Sequence, residues 1–109
     1  MATAYKVLGQ SAPSATTATT LYTVPSATET VISTLAVTNR GTSSATFRVA
    51  IRPDGATLAN EHYIAYDAPI SANDTLYITI GATINAADVV TVYASTANFS
   101  FSAFGSEIS

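Results

Sequence analysis

Apolar and polar residues alternate with a period of two along most of this chain, and this pattern restricts its fold more than any other feature. The clearest segment is ATFRVAIR, residues 45–52, in which large apolar residues alternate with Arg48, Ala50 and Arg52. Because successive side chains of a strand point to opposite faces, we expect one face of this strand in a core. The other face then contacts water or a partner. No segment shows the spacing of an amphipathic helix longer than two turns.

The same alternation, carried by Val, Ile, Thr, Tyr and Phe, predicts about eight short strands. They cover residues 4–9, 20–24, 29–39, 45–52, 62–66, 75–81, 89–95 and 98–104. Turn residues separate them at intervals of about 8–12 residues, which is typical of a two-sheet protein. We therefore predict an all-β fold: a single antiparallel β-sandwich, of jelly-roll or Ig-like type, with an N-terminal arm.

Three connections carry recognisable turn chemistry. In RGTSS, Gly41 is expected to take a positive φ, because it has no Cβ to clash. In PDG, Pro53 presets φ and the following Asp-Gly pair supplies the bend. The last two strands are expected to form a closing hairpin that turns around Thr96 and Ala97.

The start of the chain, residues 1–19, is predicted to be an arm and linker, and the sandwich domain is predicted to occupy residues 20–109. One short strand is followed by SAPSATTATT, a segment without large apolar residues that is typical of a linker. Two arrangements fit this pattern equally well. The strand pairs with its own sheet, or it reaches across and pairs with the exposed sheet edge of a neighbouring copy.

Charged residues make up only 10% of the chain, against about 25% in an ordinary soluble domain. A surface with few ions is easily desolvated, so it favours packing against other subunits. A domain of this size without a disulfide also gains stability by association. We therefore expect a homo-oligomer, with a trimer favoured. The alternative is a neutral, soluble extracellular module.

The distribution of charge argues against several classes of partner. The net charge is −3 and the four basic residues are dispersed, so no basic patch is available for nucleic acid. No basic amphipathic segment or long apolar run indicates a membrane. The chain has no Cys, so its fold needs no disulfide and can form in a reducing cytoplasm, and its start lacks the apolar segment of a signal peptide.

Candidate catalytic and metal sites are few. His62 is the only His, and without Cys the usual zinc ligand sets cannot be built within one chain. A structural or surface role is favoured for His62, and three copies around a metal on an oligomer axis are the less favoured alternative. No GxSxG nucleophile motif is present. We therefore expect no enzymatic activity, no cofactor and no bound metal.

The carboxylates and tyrosines indicate turns and contacts. Four carboxylates fall at predicted turns, where Asp commonly hydrogen-bonds the local backbone: Asp54, Asp67, Asp74 and Asp88. The disfavoured alternative is a glycosidase, which needs two facing carboxylates. Exposed Tyr residues bind sugars or proteins, although cross-strand packing is their commoner role. The candidate contact surface comprises Arg48, Arg52, Glu61, His62, Tyr63, Tyr66, Tyr77 and Tyr93.

Six short segments follow one another between Thr19 and Ser109: LYTVP, TNRG, FRVAIRP, YIAYD, DVVTVYAS and FGSEI. In their order and spacing they resemble a family of small structural proteins of tailed bacteriophages, including phages of cyanobacteria. None of the six is a catalytic motif. About the first twenty residues fall outside the resemblance.

The resemblance implies a virion protein, made late in infection and assembled in the host cytoplasm. The first role it implies is that of a capsid decoration or cement protein. Such a protein binds where subunits of the major capsid protein meet and stabilises the shell by protein–protein contacts. The alternative is a tail, baseplate or fibre component with a surface for a host glycan. A separate sugar-binding module is a third class, and an enzyme is the last.

Overall fold

The computed structural model describes residues 2–109, and its regular structure is almost entirely β. Eight strands follow one another along the chain: β1 (Thr3–Ser11), β2 (Thr19–Thr23), β3 (Glu29–Asn39), β4 (Ala45–Arg52), β5 (Tyr63–Ile70), β6 (Asp74–Ile84), β7 (Val89–Ala94) and β8 (Phe99–Ile108). Two short 3₁₀ helices, Pro53–Gly55 and Asn60–His62, lie between β4 and β5. Within residues 2–109, no helix is long and apolar enough to cross a membrane.

The strands form two four-stranded antiparallel sheets. Sheet A has the order β1–β8–β3–β6, and sheet B has the order β2–β7–β4–β5. The pairs β1–β8, β2–β7, β3–β6 and β4–β5 belong to one long antiparallel hairpin, wrapped so that successive pairs alternate between the sheets. This is the jelly-roll topology. The predicted all-β sandwich is therefore confirmed, and the pairing selects the jelly-roll type over the Ig-like type.

One apolar core fills the space between the sheets. The Phe47 ring of β4 lies 6.3 Å from the Phe99 ring and 6.1 Å from the Phe101 ring of β8, measured between centroids. Aliphatic side chains from both sheets surround these rings: Ile32, Leu35, Val37, Val49, Val90 and Val92. The apolar face predicted for β4 is thus the inward face, since alternation places every second side chain in the core.

Four strands, β1, β5, β6 and β8, are longer than the sequence predicts. β5 continues through Pro69 to Ile70, which pairs with Ala45 of β4 and is buried. The sequence pattern predicts a strand that ends at residue 66, but β5 is an edge strand, where Pro69 is tolerated because no second ladder needs a backbone N–H there. β8 continues to Ile108, because it lies between β1 and β3 and pairs with both.

The predicted closing hairpin of β7 and β8 is wrong. β7 lies between β2 and β4 in sheet B, whereas β8 lies between β1 and β3 in sheet A. The segment around Thr96 and Ala97 therefore crosses from one sheet to the other. Two strands joined by a short connection give the same sequence pattern whether they pair within a sheet or face one another across a core.

The two predicted glycine turns have different outcomes. Asp54 and Gly55 take φ values of 55° and 66°, so the PDG segment bends as expected. Gly41 does not take the expected positive φ. It is buried, and a Cβ there would lie 3.0 Å from Asn98 Nδ2 and 3.1 Å from Asn39 Oδ1. Glycine is favoured at this position because a Cβ would crowd the two asparagine side chains, and not because of the backbone conformation.

β1 pairs with β8 of its own chain, with Thr3 opposite Ile108 and Ser11 opposite Phe101. Gly9 approaches β2 so closely that a Cβ would lie 2.2 Å from the Leu21 carbonyl oxygen. This is the arrangement of a first strand on its own sheet. Exchange of the strand between copies stays a prediction.

A polar network joins β1 to the rest of the sandwich. Lys6 Nζ lies 2.8 Å from Glu107 Oε1, and the Tyr22 hydroxyl donates to Glu107 Oε2. Thr30 Oγ1 lies 2.8 Å from the same hydroxyl and must be the donor, because the phenol proton is already committed. Lys6, with Tyr22, lowers the pKa of Glu107. Burial, with the nearby carboxylate, raises the pKa of Tyr22 to about 12.

Candidate functional surfaces

An arginine is stacked between two tyrosines on the outer face of sheet B. The Arg48 guanidinium carbon lies 4.2 Å from the Tyr66 ring centroid and 4.3 Å from the Tyr93 ring centroid. Arg48 Nε also donates to Asp67 Oδ1 at 2.7 Å, which completes an ion pair. We call these four residues the Arg48 cluster.

A bulge between β4 and β5 builds this cluster. The β4–β5 register shifts between Phe47 and Val49, so Tyr66 and Asp67 of β5 both lie opposite Arg48. Asp67 takes a φ of 50°, a left-handed conformation that Asp tolerates better than bulky or β-branched residues do. Bulges commonly redirect a side chain. Tyr93 of β7 is the register partner of Arg48 on its other side.

The charges of the cluster balance one another. The hydrogen bond that Arg48 donates to Asp67 is the main reason that the pKa of Arg48 lies above its ordinary value. Because Asp67 neutralises the guanidinium, the cluster offers little free positive charge to a phosphate or carboxylate. It offers aromatic surface instead, since Tyr66 is 57% exposed. Such a surface suits a neutral partner, such as a sugar ring or a protein.

A shallow, open cleft of about 500 Å³ lies beside the cluster, lined by Asn60, Tyr63 and Tyr66. The Tyr63 and Tyr66 rings meet edge to face, with centroids 4.9 Å apart. The cleft therefore combines aromatic wall with one amide, which can donate to and accept from hydroxyl groups. Apolar walls with a few polar groups are the usual composition of small-ligand sites.

Three predicted contact residues lie close in sequence to the residues that line this cleft: Arg52, Glu61 and His62. Two of them make local contacts. Arg52 Nε donates to the Ala56 carbonyl at 2.7 Å and thereby holds the PDG turn. His62 Nδ1 accepts from the Ala59 backbone N–H at 3.0 Å, which closes the second 3₁₀ helix. Glu61 is exposed in that same helix. The favoured structural role of His62 agrees with this contact.

The structure divides the sequence-predicted contact residues between the two sheets. Arg48, Tyr63, Tyr66 and Tyr93 come together on sheet B, as described above. Tyr77 lies on β6 of sheet A and is 69% exposed, on the opposite side of the sandwich. The predicted contact surface is therefore two separate surfaces.

The outer face of sheet A is almost free of charge. Within residues 2–109, the charged residues of its strands are Glu29 and Asp74, each at a strand start, and the pair Lys6–Glu107 beside Tyr22. Arg40, directly after β3, adds one exposed guanidinium at the end of this face, where its Nε donates to Ser100 Oγ at 2.8 Å. The other outward positions hold hydroxyl, Ala and apolar side chains, together with the amide of Gln10, which donates to Ser102 Oγ at 3.3 Å. Four of them are large and exposed: Tyr5 at 85%, Val7 at 48%, Phe104 at 37% and Tyr77 at 69%.

Sequence reasoning missed Tyr5, Val7 and Phe104 as surface residues, because they fell in the predicted arm and the predicted hairpin. A signal for Phe104 was present in the alternation. Phe99, Phe101 and Ala103 share one parity in β8, so Phe104 must point to the other face. Its register partner on β1 is Val7, which is also exposed.

Of the four predicted turn carboxylates, Asp54 and Asp88 lie in turns, and Asp74 is the first residue of β6, directly after a turn. Asp88 accepts from the backbone N–H groups of Asp54 and Asn85, at 2.9 and 2.8 Å, and Asp74 accepts from Thr75 at 2.8 Å. The turn assignment is wrong for Asp67, which lies in the β5 bulge because the strand continues past it. Across residues 2–109, no three His, Asp or Glu side chains gather as a candidate metal site.

No family model, no curated protein and no solved structure matches this chain. Its function is therefore argued from its surfaces, its topology and the sequence resemblance described above.

Proposed function

We propose that this chain is a structural protein of a tailed-bacteriophage virion, and specifically a capsid decoration protein. The proposal rests on the outer face of sheet A. This face is broad, carries few charged residues and exposes several large aromatic and aliphatic side chains. The proposed partners are the major capsid protein and further copies of this chain, with a trimer favoured.

The physical case rests on desolvation. Covering a charged surface costs several kcal/mol for each ion that is not well paired, whereas covering hydroxyl and apolar groups costs far less. The cores of protein interfaces are depleted in charge and enriched in aromatic residues. The outer face of sheet A has this composition, with Tyr5, Tyr77 and Phe104 as its exposed rings. It is therefore suited to lie across a joint between shell subunits.

Fold and sequence resemblance point in the same direction, each by analogy. Jelly rolls recur in viral capsid proteins and in lectins, so the topology alone supports both shell and sugar-binding roles. The six matching segments favour the virion. In this role the chain does no chemistry; it is made in the host cytoplasm and becomes part of the particle by binding.

The test is the copy number of this chain in purified virions, measured by quantitative mass spectrometry against the major capsid protein. A copy number similar to that of the shell protein is the expected result. A few copies per particle would reject decoration of the capsid and favour the tail. Absence from the particle would reject both virion roles.

A second candidate function is that of a tail, baseplate or fibre component that contacts a host glycan. The cleft beside the Arg48 cluster favours it, because Tyr63 and Tyr66 supply aromatic wall and Asn60 supplies an amide. Binding to a panel of neutral host-surface glycans tests this role, with Tyr66→Ala as the disrupting variant and Tyr77→Ala, on the other sheet, as the control. Equal binding by both variants would exclude the cleft as the glycan site.

A further inference from the structure

The four edge strands of the sandwich are protected very differently. In sheet B, β2 has only five residues, and β5 carries a bulge at Asp67 and a proline at Pro69. Short strands, bulges and edge prolines are the devices by which proteins prevent an edge from pairing with another chain. The edges of sheet B are therefore blocked.

The edges of sheet A carry less of this protection. β6 has 11 residues, contains no proline and pairs on one side only, with β3. Its single bulge is near Gly81, which leaves the first half, from Asp74 to Thr79, regular. β1 pairs on one side only, with β8, and its bulge lies between Val7 and Gly9. The five consecutive residues before that bulge, from Thr3 to Val7, are regular and exposed. Lys6, the one charged residue of β1, is bound to Glu107.

We propose that the free edge of β1 in one copy pairs antiparallel with the free edge of β6 in the next copy. Sheet A then continues from subunit to subunit. This inference goes beyond the proposed function, because it names the strands of the self-interface wherever the protein resides. β1 keeps its place beside β8 of its own chain, so no strand exchange is required.

Strand direction permits this contact without rearrangement. All neighbours in the order β1–β8–β3–β6 are antiparallel, so β1 and β6 of one sheet run in opposite directions. A second copy placed beside β6 in the same orientation presents its β1 antiparallel to that strand. The regular segments are also similar in length, with five residues in Thr3–Val7 and six in Asp74–Thr79.

Symmetry favours this head-to-tail contact over a two-fold contact. Pairing β6 with β6 of another copy covers one edge and leaves the β1 edge open in both subunits. Pairing β1 with β6 covers both edges of every subunit when the contacts close into a ring. It also brings Tyr5 of one copy towards Tyr77 of the next on the same outer face, and these are the two most exposed aromatic side chains.

Disulfide trapping tests the proposal, and the natural absence of Cys makes the background clean. In the full chain, Tyr5→Cys is combined in turn with Thr75→Cys, Tyr77→Cys and Thr79→Cys, which are successive outward positions along β6. Pairing registers that keep both side chains on the outer face differ in steps of two residues, so three positions on β6 are tested. The single variants are the matched controls. After mild oxidation, the products are separated under denaturing, non-reducing conditions.

The expected result is a ladder of covalent oligomers for one of the three double variants and none for any single variant. Oligomers formed by a single β6 variant would show a two-fold β6 contact and overturn the proposal. Monomers from all variants would overturn it as well, and so would a stable monomer of the unmodified chain in light scattering at micromolar concentration. Circular dichroism identical to that of the unmodified chain confirms that the variants fold.

Discussion

The two sheets of this jelly roll share one core but present different surfaces. Sheet B holds the Arg48 cluster and an aromatic cleft on its outer face, and its edges are blocked. Sheet A has an outer face almost free of charge and two open edges, and its one ion pair, Lys6–Glu107, lies beside Tyr22 of the opposite sheet. Because ions are costly to desolvate, sheet A is the surface that a large partner covers more readily.

The contrast shows where a chain with few charged residues places those residues. Arg48 and Asp67 neutralise each other and fix a bulge on sheet B, while Arg52 holds a turn. The charged residues therefore stabilise local structure instead of covering the surface. What remains on sheet A is a face suited to being buried, and the predictions below test this division.

The largest loss of stability is expected from Phe101→Ala, which removes a ring from the core between the two sheets. Phe101 is 1% exposed and packs against Phe47 and Phe99. Its loss leaves a cavity that should lower the free energy of unfolding by about 3–5 kcal/mol, measured by urea denaturation. Phe104→Ala in the same strand is the control, because that ring points outward. Similar losses in both variants would contradict the assignment of the two faces of β8.

Gly9→Ala should weaken sheet A at β1 and leave sheet B intact. The added Cβ meets the Leu21 carbonyl oxygen, so β1 must move away from β2. Overpacking of this kind costs about 1–3 kcal/mol. Hydrogen exchange should show faster exchange in β1, with Gln10→Ala as the neighbouring control. Unchanged exchange in β1 would show that the strand does not depend on this close contact.

Glu107→Gln should make stability less dependent on pH. The pKa of Glu107 is lowered in the folded protein by Lys6 and Tyr22, so its ionised form stabilises the fold above the unfolded pKa of about 4.3. That contribution is lost as the pH falls through the lower, folded pKa. The variant should be less stable by about 2 kcal/mol at neutral pH, and the difference should shrink in acid. A difference that is constant with pH would contradict the network.

Substitutions at Asp67 should separate backbone conformation from charge on sheet B. Asp67→Val forces a β-branched residue into a φ of 50° and should cost about 1 kcal/mol. Asp67→Asn keeps a residue that tolerates this conformation, and stability should stay within about 0.5 kcal/mol. Neither Asp67→Asn nor Glu61→Gln should affect assembly. A cost for Asn as large as that for Val would show that the ion pair, and not the bulge, maintains the site.

Alternation along the chain was sufficient to predict the strands and the class of fold. β3 and β4 begin and end where the pattern places them, because each is a central strand with an uninterrupted inward face. The sequence could not give the pairing of β7 and β8, since strand order depends on contacts between residues far apart in the chain. Edge strand β5 was cut short for the same reason: its ladder with β4 continues past a proline.

The candidate site was predictable in composition but not in arrangement. Arg48, Tyr66 and Tyr93 could be chosen as exposed polar and aromatic residues of predicted strands. Their stacking depends on a bulge that places two residues of β5 opposite one of β4, and nothing in YIAYD marks that register shift. The outer face of sheet A was likewise hidden, because it is defined by four strands whose order the sequence does not reveal.

The most direct test of the central claim compares two lysine substitutions, one on each sheet. Thr34→Lys and Thr46→Lys both replace a half-buried Thr on the outer face of an inner strand, in β3 of sheet A and in β4 of sheet B. For the proposed capsid role, binding is measured to virions assembled without this chain, after urea denaturation has shown that both variants fold. Thr34→Lys should weaken binding at least about tenfold, because an unpaired ion is then buried. Thr46→Lys should bind normally, and the reverse order would contradict the assignment of sheet A as the assembly surface.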